Sequence, residues 1–265
     1  MKVFISADIE GITTTTNWDN TNPNHASYPL HAKQMTDEVI ACIEGAKKAG
    51  ATEIVVRDAH GPGTNIDPTR MPTGVKLHRS WAFHPYSMVE GVDSSFDAAM
   101  FVGYHSAAGR VGNPMAHTNT RCNYLKINGV YASEFLLYSY ACVLEGVPTV
   151  FLSGDKMICE DSRNMHPKLI TCTVKDAVGA MTINYSIEDT IPDIRSLSEK
   201  ALKQNLKDAL SSLPDQFEAE LSFHDHIRAE RSSWYPGVKR KNENTVIFES
   251  NNFFEVLRTL KWIMY

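Results

Sequence analysis

The chain has 265 residues, with 26 Lys and Arg against 31 Asp and Glu for a formal charge of −5, and it is 43% apolar and 22% charged. That apolar share excludes disorder, and a chain of this length buries roughly 70–75% of its unfolded surface without disulfides or a structural metal. The mild acidity is spread along the chain. It excludes the basic stripe that displaces counterions from phosphates, so no nucleic-acid partner is expected.

The opening segment MKVFISADIE carries one basic residue and a very short apolar stretch. That is neither a signal peptide nor a membrane span, so a cytoplasmic protein with no membrane partner is expected. Cys42, Cys122, Cys142, Cys159 and Cys172 form an odd set with no CxxC spacing, and they are expected as buried free thiols.

Residues 2–7 form an apolar run without helical period that breaks off at Asp8 and Glu10, which predicts a buried strand with a polar exit. From Met35, Val39, Ile43, Ala46 and Ala49 recur at helical spacing, and Gly50 suits a left-handed cap. TEIVVRDAHGPG then predicts a second strand ending at Asp58 and His60, and strand–helix–strand implies a parallel pair. A third strand runs from Ala98 to about Gly103, with His105 just past its end.

Asn128-Gly129 marks a two-residue hairpin, and Ser133 can cap a helix that begins at Glu134. Pro148–Asp155 and Lys168–Lys175 supply two more apolar strands, for a main sheet of five or six. Beyond about Ile191 the elements become shorter and more charged: a helix over SLSEKALKQNLKDALSSL, strands at FEAELSFHD and NTVIFES, and a closing helix. The expected fold is α/β, an open, mostly parallel sheet flanked by helices over 1–190, followed by a smaller α+β domain over 191–265.

Asp8 and Glu10 lie two residues apart at a strand end, where their mutual repulsion calls for a cation. An isolated Asp-x-Glu is more often a pair of solvated loop acids. Here, however, successive strand exits also deliver His60 and His105, at the end of an open parallel sheet where ligands bind. Glu134, in a first helical turn, adds a fifth candidate. Carboxylates with imidazoles are zinc chemistry, and five candidates exceed the three protein groups of one catalytic zinc, so two metals are the better count. His117, in NPMAHTNT, is a candidate acid, base or nucleophile, or a plain loop histidine.

The blocks FISADIEGI, VVRDAHG, HPYSMVEGVDSSFDAAMFVGYHS, MAHT and INGVYASE resemble, in order and spacing, those of the zinc-dependent D-aminopeptidase family. The resemblance implies a two-zinc centre bridged by Asp8, with Glu10 and His105 on one ion and His60 and Glu134 on the other. It implies His117 as the catalytic histidine and a homo-oligomeric ring, a decamer in the family's best-known case. The segment TTTTNWDNTNPNHASYPLHAK and the C-terminal third match more loosely, which leaves the preference for D-residues less secured than the metals. The reading is a zinc metallo-aminopeptidase acting on short peptides. A two-metal phosphoesterase and a non-catalytic, ring-forming peptide-binding protein are the alternatives, the former weakened by the lack of a Gly-rich phosphate loop.

Overall fold

A computed structural model describes residues 1–264. Strand β1 (Lys2–Ala7) is buried along nearly its whole length, as a central parallel strand must be. It is followed by α1 (Tyr28–Lys48), β2 (Glu53–Asp58), β3 (Val75–His78), β4 (Ala98–Tyr104), β5 (Cys122–Ile127) and β6 (Val130–Tyr131). Next come α2 (Glu134–Leu144), β7 (Thr149–Asp155), α3 (Lys156–Met165), β8 (Ile170–Val178), β9 (Met181–Asn184) and α4 (Ile187–Lys203). The chain ends with β10 (Phe217–Phe223), α5 (His226–Ser233), β11 (Val238–Arg240), β12 (Thr245–Ser250) and α6 (Phe253–Ile263).

The main sheet has the order β3-β2-β1-β4-β7-β8-β9, parallel except for the last pair, and a second, antiparallel sheet has the order β11-β12-β10-β5-β6. The architecture is α/β, as the alternation of strand and helix predicts. The main sheet has seven strands rather than five or six. The two unforeseen members are β3, a half-buried edge strand, and β9, which is mostly exposed, and neither carries the apolar run that marks a central strand.

Alternation along β1 sends Val3, Ile5 and Ala7 into one core with α1 and α4, and Phe4 into another with α2, α6 and the second sheet. In that second core Phe101 meets Phe135 edge to face at 5.0 Å. Burial of each ring contributes roughly 1.5–3 kcal/mol. Helix α1 begins seven residues before Met35, because its first two turns are mostly solvent-facing and carry little apolar period. The helix expected over 196–213 instead spans Ile187–Lys203, with Ser186 capping its start. The boundary expected at 190/191 falls inside this helix, which packs on α1 and β8, and the second sheet is completed by the β5–β6 hairpin from before it. All five cysteines are buried and free. Among the described residues no helix is long and apolar enough to cross a membrane.

The exits of β1 and β4 are packed backbone to backbone. Asp8 donates its N–H to the Val102 carbonyl at 2.9 Å and Gly11 to the Gly103 carbonyl at 2.8 Å. A Cβ on Gly103 would lie 2.3 Å from the Asp8 carbonyl oxygen, and the residue has φ +73°, a conformation L side chains resist. Gly103→Ala is therefore expected to lower the unfolding free energy by roughly 2–3 kcal/mol. Urea denaturation checks this, and an unchanged midpoint contradicts the close approach.

Candidate metal centre

The turn after β1 carries Asp8 and Glu10, both buried, and the exit of β2 carries His60, 14% exposed. The exit of β4 carries the buried His105, and the first residue of α2 is Glu134. Ser133 fixes that last position, since its Oγ accepts the Leu136 N–H at 3.1 Å. The hairpin leading into α2 turns on Asn128 and Gly129, both at positive φ, as the sequence predicts.

These five side chains meet. His60 Nδ1 lies 3.2 Å from Asp8 Oδ1 and 3.0 Å from Glu10 Oε2, while His105 Nε2 lies 3.5 Å from Asp8 Oδ2 and 3.1 Å from Glu134 Oε2. Asp8 thus stands between the imidazoles with one oxygen toward each. Donor atoms of Asp8, Glu10 and His105 all fall within 4.8 Å of one another, as do those of His105, His117 and Glu134. His60 contacts Glu10 and Asp8, and Glu134 contacts His105.

Asp8 Oδ2, Glu10 Oε2 and His105 Nε2 are buried and make no hydrogen bond among the described residues. His105 Nδ1 faces the Ser106 carbonyl at 3.0 Å, and since a carbonyl only accepts, the ring proton sits there. A neutral ring therefore aims the Nε2 lone pair at carboxylate oxygens, which requires a second ring proton or a cation. A metal-binding imidazole commonly gives its other N–H to a carbonyl in this way, and the set of carboxylate oxygens and imidazole nitrogens suits zinc.

The electrostatics agree. Burial alone would push both imidazoles down. The Glu10 and Asp8 carboxylates around His60, and those of Asp8 and Glu134 around His105, outweigh it and hold both rings well above the usual histidine range. Burial would raise Asp8, yet the His105 and His60 imidazoles on either side hold it far below the usual carboxylate range. Without metal, protons occupy the place of a cation.

Two buried aspartates brace the cluster. Asp58 accepts from the Asn65 and Ile66 backbone N–H groups at 2.5 and 2.7 Å, and the Asn65 amide reaches the His60 carbonyl at 2.8 Å. Asp155 accepts from Ser106 N and Oγ, both at 2.8 Å, and caps α3 through Ile158 N. Lys175, deep in β8, donates to the Glu10 carbonyl at 2.5 Å and to Thr15 O and Oγ1 at 2.8 Å, pinning the turn that carries the two acids. Burial presses its ammonium down to about 8, against the pull of Asp155, Glu38, Glu10 and Asp8. Sequence reasoning missed Lys175, Asn65 and Ser106, whose only signal is their place beside polar strand exits.

Asp8, Glu10, His60 and Glu134 line a cavity of about 880 Å³, with Trp18, Trp81, Phe83, Met88 and Trp262 among its walls. His117 also lines it, its Nδ1 on the Met115 carbonyl at 2.8 Å and its ring stacked on His105 at 4.4 Å and 15°. Nε2 is the nitrogen left for chemistry.

Parallel strand exits that gather buried carboxylates and imidazoles beside an open cavity give an α/β fold a donor set that fits a metal ion. Comparison with known proteins specifies the kind of protein: a family model for D-aminopeptidases matches residues 1–262, and the chain belongs to that family of peptide hydrolases. It is 27% identical to the D-aminopeptidase of Bacillus subtilis strain 168 over 265 residues, covering 98% of this chain and 95% of that one. The solved structure of the Zn-dependent D-aminopeptidase DppA from Bacillus subtilis, a self-compartmentalizing protease, matches with a TM-score of 0.91 at 25% identity. That match covers 99% of this chain and 96% of the other.

A pH dependence follows for protein stripped of metal. Histidines raised on folding stabilise fully below their unfolded value near 6.5, and they lose that contribution as pH climbs through the raised folded values. Metal-free protein is expected to be less stable at pH 8 than at pH 6.5 in urea denaturation. Equal or greater stability at pH 8 contradicts the paired-imidazole geometry.

Proposed function

We propose that the chain is a two-zinc aminopeptidase that removes the first residue from short peptides, with preference for a D-residue. Asp8 would stand between the two ions, and Glu10, His60, His105 and Glu134 would complete the set that holds them. The observation that carries this reading is the convergence of Asp8, Glu10 and His105 donor atoms within 4.8 Å of one another, with Asp8 Oδ2, Glu10 Oε2 and His105 Nε2 buried and without a hydrogen bond among the described residues, beside a cavity that Asp8 and Glu10 line. Family membership supports the reaction class, and the Zn dependence of DppA supports the metal.

The zinc ions supply Lewis acidity that polarises the scissile carbonyl and accommodates the negative charge growing on its oxygen. His117 moves the proton. With Nδ1–H held by Met115, its Nε2 lone pair takes a proton from the attacking water and returns it to the departing amine. The stack on His105 and the edge of Trp18, 5.1 Å away, keep the ring at the cavity. The walls exclude water around the peptide.

In the same reading the enzyme works in the cytoplasm, in keeping with five free, buried thiols, and assembles as a closed ring. Trp234, 80% exposed, and Trp262, 67% exposed, offer apolar surface for subunit contacts.

The test is release of amino acid from D- and L-alanyl amides before and after chelation. Cleavage of the D-amide at the higher rate, abolished by chelator and restored by zinc, is expected; chelator-insensitive cleavage or equal rates contradict it. His117→Ala is expected to retain zinc while turnover falls by about 10²–10⁴, the usual worth of a positioned acid–base group. Zinc lost together with activity would make His117 a ligand instead, a role its place within 4.8 Å of His105 and Glu134 donors makes a sharp alternative.

A further inference from the structure

The cavity is lined by charges of both signs. Asp8, Glu10 and Glu134 bring negative charge, whereas Arg231 from α5 and Lys261 from α6 line the same cavity from the second layer of the fold. Aromatic side chains share the lining. Lys261 Nζ sits 5.9 Å from the centre of the Trp81 ring and 5.8 Å from that of Phe83. Those contacts keep an ammonium at a wall whose apolar lining would not otherwise select one.

The wall beside these cations is tied to the metal donors. The Trp81 indole N–H donates to the Gly61 carbonyl at 2.8 Å, one residue after His60, and the Arg57 guanidinium lies 4.2 Å over the Trp81 ring. Nε and Nη2 of Arg57 are buried without hydrogen bonds among the described residues, so a third cation, with Glu90 3.6 Å from Nη2, lies behind the indole. The loop is held in a demanding conformation: Ser80 and Phe83 adopt φ +60° and +66° although neither is glycine. Such backbone is kept where surrounding structure enforces it, and here it places Trp81 and Phe83 on the cavity wall.

We infer that Arg231 and Lys261 bind the C-terminal carboxylate of the peptide, so that the enzyme recognises both ends of a di- or tripeptide at once. The inference rests on the aminopeptidase reading, which puts the amino end at the metal donors. Two or three extended residues reach roughly 7–11 Å, and about 880 Å³ holds a ligand of that size. The arrangement suits a short peptide with its amino end at the metal donors, its carboxylate toward the cations, and side chains against Trp81, Phe83 and Met88. A longer chain, or one whose carboxylate is capped, forfeits the second anchor.

The experiment measures binding without turnover. A D-alanyl-D-alanine isostere with its peptide carbonyl reduced to methylene is titrated calorimetrically into the zinc-loaded protein, as free acid and as C-terminal carboxamide. The free acid is expected to bind about tenfold tighter, in line with a charge-assisted contact, and Lys261→Met and Arg231→Gln each bring the acid-to-amide ratio toward one. Arg231 is exposed, so its variant tests the idea even if the α6 variant folds poorly. Equal affinity of the two forms in the unaltered protein, a ratio kept in both variants, or no binding of either form overturns the proposal. Hydrolysis of D-alanyl amide, which has no terminal carboxylate, tests the aminopeptidase reading separately, so failure of either is recognised on its own.

Discussion

Three carboxylates and two imidazoles crowded into a space from which water is largely excluded form the constraint around which this molecule is arranged. Burial of that many ionisable groups is unfavourable unless positive charge stands among them. Without metal the charge comes from protons on His60 and His105, which explains why both rings hold protons so strongly. In the proposed two-zinc reading, a divalent cation competes for the same place, so metal loading and proton release are coupled.

The remaining structure keeps these groups from relaxing apart. A parallel sheet brings the exits of β1, β2 and β4 side by side, and glycines at 11 and 103 let the turn after β1 lie directly on the exit of β4. Asp58, Asp155 and Lys175 then fix the backbone on either side of the clustered side chains through hydrogen bonds rather than by touching them. The helices beside the second sheet play a different part, adding Arg231, Lys261 and Trp262 to a cavity whose other aromatic walls, Trp18, Trp81 and Phe83, come from loops of the main sheet. One layer carries the chemistry and the other shapes what can reach it.

What the amino-acid sequence reveals follows the same division. β1, β2, β4 and β7 announce themselves as apolar runs that stop at polar residues, and Asp8, His60, His105 and Glu134 are conspicuous because each stands at such a stop or cap. Local patterns end there. The edge strands β3 and β9 lack apolar runs because half or more of their surface meets water. Lys175 reads as an ordinary strand-end lysine until the fold brings Thr15, 160 positions away, against its ammonium. Trp81, Arg231 and Lys261 become one wall only through packing of elements far apart in the chain, and no spacing rule relates them. The helix misplaced to 196–213 shows the related limit that charge-rich segments carry helical period beyond the point where the chain turns.

The most direct test of the central claim is the zinc content of the purified, zinc-saturated protein, counted per chain by elemental mass spectrometry after excess metal is removed. Two ions per chain is the expected result. One ion or none would mean that Asp8 does not stand between two cations and that the buried cluster serves another purpose.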